Sequence, residues 1–490
     1  MHNFHPKTSE FLKQDQQLFI DGEWVSASDN SMFESVNPAT GEILINLTFA
    51  KEVDVNQAVE SAQKAFEEGW GTPQEIGELM WKLADLMERD KQVLIELETL
   101  DNGKSLNGSD YDVTGAINHF RYYAGWATKI EGASIPVNSV DKLVYTRREA
   151  LGVVGLIVPW NFPLMITAWK LAPALACGNC CILKPAEQTS LTALYLGKLI
   201  QEAGFPAGVV NILTGYGNPT GEAICRHNGV EKVSFTGSTA VGRKIMVAAA
   251  ESNLKKVSLE LGGKSPNVIF DDADLDKVIE GIHWSSFYNS GQECTLGSRV
   301  YVQDAVYEKV INKLTENARN LTIGNGLKNP DLGPMISKQQ LDRVTGFIEK
   351  GQTDGAEAIL KGERLEGELA NGYFLSPTIF AHQNDELSIV QKEIFGPVVV
   401  VSSFKDFDEA IHRANNSIYG LAAAVWTNDI NKAHKFAHQA KAGTIWINGY
   451  DLFSPAVPFG GYKQSGIGRE MGKSAIDLFT QEKAVWVNLD

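Results

Sequence analysis

Val153-Val154-Gly155-Leu156-Ile157-Val158, stopped by Pro159, is a short apolar run rich in β-branched residues. It reads as a strand covered on both faces. The next segments repeat the pattern. Residues 164–176 have the length and composition of a helix, 181–184 form a second short strand, and Leu191–Ala203 is amphipathic. Residues 209–213, 233–235 and 257–261 read as further strands, separated by helical stretches at 220–227 and 240–251. Alternation at this spacing predicts a parallel α/β sheet with right-handed crossovers.

A second series of the same kind lies downstream. Strands are expected at 267–270, 299–302, 358–360, 378–380, 398–402, Ala422–Trp426 and Thr444–Ile447, with helices at 275–288, 306–321, 407–414 and 430–440. The two lobes meet near Gly262-Gly263. Upstream, residues 53–70 and 75–100 carry apolar residues at helical spacing. Residues 133–150 (Val140, Leu143, Tyr145) and 484–488 have strand-like patterning and are expected to pack outside both lobes.

The chain has 490 residues, a soft prior of about three domains. At 43% hydrophobic and 21% charged it has the composition of a soluble globular protein. The net charge of −16 argues against general nucleic-acid or anionic-membrane binding, both of which use clustered Lys and Arg. Five cysteines are an odd, sparse set, so a reducing compartment is expected. Residues 1–17 are polar, with no apolar core of a signal peptide, and the uncharged window 171–183 is too short to span a bilayer. A cytoplasmic location is therefore expected.

Several residues have the chemistry for a site. Cys294 comes after a predicted helix in Asn289-Ser290-Gly291-Gln292-Glu293-Cys294-Thr295, where it reads either as an exposed nucleophile or as a buried core thiol. His283 is the nearest histidine in sequence. Glu260 ends a strand ahead of Gly262-Gly263; desolvation there would raise its pKa toward that of a general base, while the alternative is a solvated Glu paired with Lys264. Lys184 and Glu187 stand at the carboxyl end of a strand, where a Glu could hold ribose hydroxyls and repel a 2′-phosphate; the alternative is a surface ion pair. Phe235-Thr236-Gly237-Ser238 leads from a strand into a helix whose N-terminus could take a phosphate, although it is neither a Walker A loop nor G-x-G-x-x-G. Cys177 and Cys180-Cys181 imitate a metal pair, but no second Cys/His pair comes after them, so no metal is expected.

Taken together, these segments resemble the NAD(P)-dependent aldehyde dehydrogenases over nearly the full length. The resemblance is carried by Pro159-Trp160-Asn161-Phe162-Pro163, Lys184-Pro185-Ala186-Glu187, Phe235-Thr236-Gly237-Ser238-Thr239, Leu259-Glu260-Leu261-Gly262-Gly263-Lys264-Ser265-Pro266, Gly291-Gln292-Glu293-Cys294, Glu393-Ile394-Phe395-Gly396-Pro397 and Pro458-Phe459-Gly460-Gly461-Tyr462-Lys463-Gln464-Ser465-Gly466. It is similar to the tetrameric, hydrolytic members of broad or aromatic/aliphatic substrate range. The resemblance implies two Rossmann-like parallel α/β domains plus a small β oligomerisation domain. Residues 1–127 with 151–262 would bind the dinucleotide, 263–462 would be catalytic, and 128–150 with 475–490 would make a homo-oligomer, a tetramer or a dimer.

The resemblance also implies residue roles. Cys294 would be the nucleophile, Glu260 the general base and Asn161 an oxyanion donor alongside the Cys294 N–H, with Lys170 and Glu470 relaying protons. Trp160, Lys184, Glu187, Gly237, Ser238, Glu393 and Phe395 would hold NAD, which Glu187 would favour over NADP. Phe162, Met165, Trp169, Tyr288, Thr295, Asp451, Phe453 and Phe459 would line an apolar, aromatic-walled aldehyde tunnel without a clear charge anchor, so betaine aldehyde and acidic semialdehydes are not expected. Glu260 favours water over coenzyme A as acyl acceptor. One departure stands out: Glu293 precedes the nucleophile where relatives carry small, apolar or Cys residues. A carboxylate aimed at the sulfur would raise the thiol pKa, so Glu293 is expected to turn away and bond backbone or solvent.

Overall fold

The strand Val153–Ile157 lies in the middle of an eight-stranded sheet in the computed structural model, which describes residues 3–489. Residues 1, 2 and 490 of the expected domain ranges lie outside the described residues. The strand order is Gly466–Ile467, Lys256–Glu260, Lys232–Thr236, Val153–Ile157, Cys180–Lys184, Val210–Ile212, Leu18–Ile20, Glu23–Val25. The inner strands from Lys256–Glu260 to Val210–Ile212 are all parallel, and the edges are antiparallel. Every residue of Val153–Ile157 and Cys180–Lys184 is buried, which is why their sequence is continuous rather than alternating. Along the chain, strands are added on one side of Val153–Ile157 and then on the other. That reversal is a topological switch point, where a crevice opens beyond the carboxyl ends of the strands.

The second sheet has seven strands in the order Glu357–Leu360, Thr378–Ala381, Val398–Phe404, Arg299–Gln303, Pro266–Ile269, Ala422–Trp426, Thr444–Ile447, parallel except at Glu357–Leu360. It begins only a few residues after Glu260. Residues just past the carboxyl ends of the first sheet (Trp160, Gly237, Leu261) and just ahead of the amino ends of the second (Cys294, Phe395) therefore share one cavity. The chain returns once more: Gly466–Ile467 pairs with Leu259 and Glu260, and the Ser465 carbonyl accepts the Leu261 N–H at 2.8 Å.

A three-stranded antiparallel sheet stands apart. Thr480–Asn488 pairs with Lys142–Ala150 over its whole length, and Ser134–Ile135 pairs on the far side. Two of its large apolar side chains are open, Trp486 at 65% and Leu143 at 46% of full exposure.

The expected helix at 75–100 is two helices, Pro73–Arg89 and Lys91–Asn102, joined at Asp90. The Asp90 carboxylate, on a residue at φ −102° and ψ 23°, accepts from Lys7, Arg89 and Tyr195, which fixes the break. Helices Leu106–Ala124 and Lys338–Thr353 and the hairpin Met32–Val36/Ile43–Thr48 add to the expected set. Among the described residues no helix is long and apolar enough to cross a membrane.

Candidate active site

A cavity of about 170 Å³ lies at the switch point, and Trp160, Asn161, Gly237, Ser238, Cys294, Glu393 and Phe395 all line it. These come from widely separated segments of the sequence. Pro159, Thr236, Leu261, Gly262, Gln340 and Arg343 complete the wall.

Cys294 is held by a strained loop. Asn289, Ser290 and Gly291 have φ of 47°, 56° and 70°, left-handed values that cost about 1–3 kcal/mol each at the two non-glycine positions. Side-chain bonds offset this cost. Ser290 Oγ donates to the Gly333 carbonyl at 2.8 Å, Gln292 Nε2 to Asn289 and Pro334, and the Ile336 N–H donates to Gln292 Oε1 at 2.8 Å. The Cys294 N–H has no acceptor among the described residues. Burial, then Glu293 and Glu260, push the thiol well above its ordinary pKa. No histidine contributes; His283 instead packs edge-on against Trp284.

Asn161 sits across the cavity with its side-chain Nδ2 donating to the Gln292 carbonyl at 3.1 Å. Its own carbonyl is clamped by Lys104 Nζ at 2.9 Å, Asn289 Nδ2 at 3.0 Å and Asn102 Nδ2 at 3.3 Å. Lys104 is buried and also pairs with Glu98 and Asp112. Sequence reading misses this clamp: Glu98, Lys104 and Asp112 come from the end, the loop and the body of neighbouring helices, with no local spacing to announce them.

Glu260 is buried rather than solvated, and Lys264 Nζ has no hydrogen-bond partner, so the paired strand-end reading is overturned. One Glu260 oxygen is also unpartnered, and burial together with the nearby Glu470 raises its pKa well above the carboxylate range. Glu470 accepts from Lys170 and, at 3.1 Å, from Ser234 Oγ. Gly262 and Gly263 are required by close approach: a Cβ on the first would collide with the Glu393 carboxylate, and one on the second with the Cys294 carbonyl.

Glu393 accepts the Gly263 N–H at 3.1 Å, and burial lifts its pKa to about 7. Gln340 and Arg343 donate to the carbonyls of Phe395 and Glu393 at 2.8 and 2.7 Å, and the Phe395 ring meets Trp160 edge-on at 5.2 Å. Ser238 is the N-cap of Thr239–Glu251, its hydroxyl accepting the Val241 N–H at 3.3 Å. Lys184 and Glu187 lie beyond this cavity, at the end of the neighbouring strand. Lys184 is buried, not a surface residue, with its amine 3.9 Å from Glu187 and its pKa lowered by burial to about 8.

The expected tunnel residues cluster beside Cys294. Phe162 stacks on Tyr288 at 6.1 Å, and Trp169, Phe453 and Phe459 pack against one another at 5.3 to 5.9 Å. Met165 belongs to the same core, and Thr295 Oγ1 donates to Asp451 at 3.2 Å. Glu293 does not turn to backbone or solvent. It is buried, one of its oxygens has no partner, and it interacts directly with Asp451. The polypeptide leaves it no choice, because the bonds of Gln292 fix the loop on its other side.

The aldehyde dehydrogenase family model matches residues 24–485. This chain belongs to the aldehyde dehydrogenase family. It is 50% identical over 479 residues to an aldehyde dehydrogenase of Agaricus bisporus, covering 96% of this chain and 95% of that one. It is 48% identical to retinal dehydrogenase 2 of Gallus gallus, covering 96% and 92%. The solved NAD⁺ complex of the aldehyde dehydrogenase from Bacillus cereus superimposes with a TM-score of 0.97 at 49% identity, covering 100% of this chain and 99% of that one. The expectations of an α/β aldehyde dehydrogenase fold and of NAD-linked aldehyde oxidation through a cysteine are borne out. All five cysteines of this aldehyde dehydrogenase are free.

Proposed function

We propose that this aldehyde dehydrogenase forms a thiohemiacetal at Cys294, converts it to a thioester and hydrolyses that thioester with water activated by Glu260. The observation that carries this reading is the convergence of Cys294, Asn161 and Glu393 on one cavity beside the buried Glu260. Asn161 Nδ2 and the Cys294 N–H are the two donors for the oxyanion, worth several kcal/mol when preorganised. Glu260 takes the proton of the attacking water and passes it toward Glu470 and Lys170, whose pairing through Ser234 gives the proton somewhere to go.

The residues present fit a dinucleotide. A half-buried carboxylate stands over a glycine that leaves room for it, Thr236 has an unpartnered hydroxyl on the cavity wall, and a helix N-terminus opens at Ser238. Glu393 would hold the nicotinamide ribose with Phe395 and Trp160 beside it, Gly237 and Ser238 the pyrophosphate, and Lys184 with Glu187 the adenosine ribose. Bound there, NAD would supply the acceptor for the hydride that leaves the thiohemiacetal carbon. Glu187 supports a preference for NAD over NADP.

Residues 1–127 with 151–262 serve as the dinucleotide-binding domain, 263–462 as the catalytic domain, and 128–150 with 475–490 as the oligomerisation domain of a tetramer or dimer. Exposed Trp486, Leu143 and Ile135 on the outlying sheet support the last assignment. The free cysteines support a reducing, cytoplasmic setting. The aromatic wall of Phe162, Trp169, Tyr288, Phe453 and Phe459 supports aliphatic and aromatic aldehydes. The test is NADH formation from phenylacetaldehyde, hexanal and acetaldehyde by the purified protein. Turnover is expected with at least one of them and is lost in Cys294→Ala; a Cys294→Ala enzyme with full turnover refutes the mechanism.

A further inference from the structure

Two carboxyl groups bracket the nucleophile. Glu293 precedes Cys294, and Thr295, on its other side, donates to Asp451 at 3.2 Å. Glu293 is 4% exposed, and its Oε2 and the Asp451 Oδ2 are both buried without a hydrogen-bond partner. Burying two carboxyls side by side is costly, and among the described residues only a hydrogen bond between them and the Thr295 hydroxyl offset it. Lys104, a cation that acts on Glu293, already has its three protons engaged by Glu98, Asp112 and the Asn161 carbonyl. The phenols of Tyr111, Tyr288 and Tyr450 also face Glu293, and none of them donates to it. The pair is thus an acceptor set that lacks a positively charged donor, beside the sulfur that attacks the substrate.

We propose that Glu293 and Asp451 select short aldehydes whose far end is a primary ammonium group. This rests on the aldehyde oxidation proposed for Cys294 and narrows its substrate class. Two carboxyls with only each other and one hydroxyl for partners call for N–H donors, which a primary ammonium supplies and a trimethylammonium does not. The aromatic wall takes the carbon chain, and the face of Tyr288 adds attraction for a cation. Binding of the ammonium replaces the proton that the crowded carboxyls otherwise retain. Both carboxyls are pushed up by burial, Asp451 to about 7 and Glu293, which also faces Asp451, well above its ordinary range. The ammonium is a recognition element only; the oxidation at the other end of the molecule is unchanged.

The test compares 3-aminopropanal with its apolar isostere butanal and with 3-(trimethylammonio)propanal, at neutral pH with saturating NAD. The full-length enzyme is expected to show a kcat/KM for 3-aminopropanal at least about tenfold above that for butanal, about 1.4 kcal/mol of discrimination. The trimethylammonium compound is expected to gain less. The amine-to-butanal ratio is expected to collapse in both Glu293→Gln and Asp451→Asn; the ratio, not the rate, is the readout, and the wild-type comparison stands if either variant fails to fold. A wild-type ratio at or below one overturns the proposal, as does a ratio that survives both substitutions. A quaternary compound equal to the primary amine overturns it too, because the aromatic wall then does the selecting. Absence of NADH from every aldehyde refutes instead the oxidation at Cys294, a distinguishable failure.

Discussion

Asn161→Ala offers the sharpest check of the oxyanion geometry. In the resting site Asn161 Nδ2 donates to the Gln292 carbonyl at 3.1 Å, so the amide is already aimed at the loop that carries Cys294. The backbone of Asn161 is held independently, through its carbonyl, by Lys104, Asn289 and Asn102. Truncation of the side chain therefore leaves the frame in place. The folding cost is one buried hydrogen bond, about 1 kcal/mol, and the Gln292 carbonyl keeps Asn289 Nδ2 at 3.4 Å. The catalytic cost is larger, because the lost donor faces a charge that exists only in the transition state. One such donor is worth about 2.7–4 kcal/mol, so kcat is expected to fall by about 10²–10³. Initial rates of NADH formation from hexanal measure the loss. Alkylation of Cys294 by iodoacetamide forms no oxyanion, and its rate is expected to stay within about threefold of wild type. A kcat within that same margin, or a loss matched by an equal loss of alkylation, would falsify the role of Asn161.

Further outcomes are expected at Glu260, Gly262 and Asp451. Glu260→Gln accumulates the thioester, so NADH appears as a burst of about one equivalent per subunit before a slow phase, the signature of blocked deacylation; steady turnover without a burst sinks the general-base role. Because burial and Glu470 raise the Glu260 pKa, the wild-type kcat falls as pH drops through that raised value, well above the usual carboxylate range; a pH–rate profile that stays flat down to the ordinary carboxylate range contradicts this. Gly262→Ala drives Glu393 from its place and is expected to weaken NAD binding about tenfold or more while the protein still folds, read by cofactor titration and thermal melting; unchanged affinity removes Glu393 from the cofactor site. Asp451 has a folded pKa of about 7 against an ordinary 3.8, so its proton is held more tightly in the folded chain and the stability it contributes is lost as pH rises through that window. Asp451→Asn is accordingly expected to gain in Tm relative to wild type between pH 4 and 7, measured without substrate; a gain that is flat with pH contradicts the burial argument.

The parallel α/β core was legible because full burial writes continuous apolar runs at Val153–Ile157 and Ala422–Trp426. The candidate reactive residues were legible because their segments resemble a family, not because spacing alone demanded them: Cys294 and Glu260 each kept a bland alternative, against which stand the cavity at Cys294 and the burial of Glu260. What was hidden depends on contacts between distant segments. The Lys104 clamp joins residues that share no period, and Gln340 and Arg343 reach Glu393 and Phe395 from a helix with no motif of its own. The break at Asp90 escaped because it rests on bonds to Lys7 and Tyr195, distant in sequence. Glu293 was misjudged because its orientation, too, is set at a distance, by bonds that Gln292 makes to residues 334 and 336.

The strand Gly466–Ile467 comes from near the end of the chain yet closes the edge beside Glu260, and Glu470 comes a few residues later. A ribosome delivers the thiol at 294 long before it delivers either. Until then the outer edge of Lys256–Glu260 is unpaired and Lys170 lacks its carboxylate partner. A chain that stops before residue 466 lacks both the strand that pairs with Glu260 and the carboxylate that pairs with Lys170.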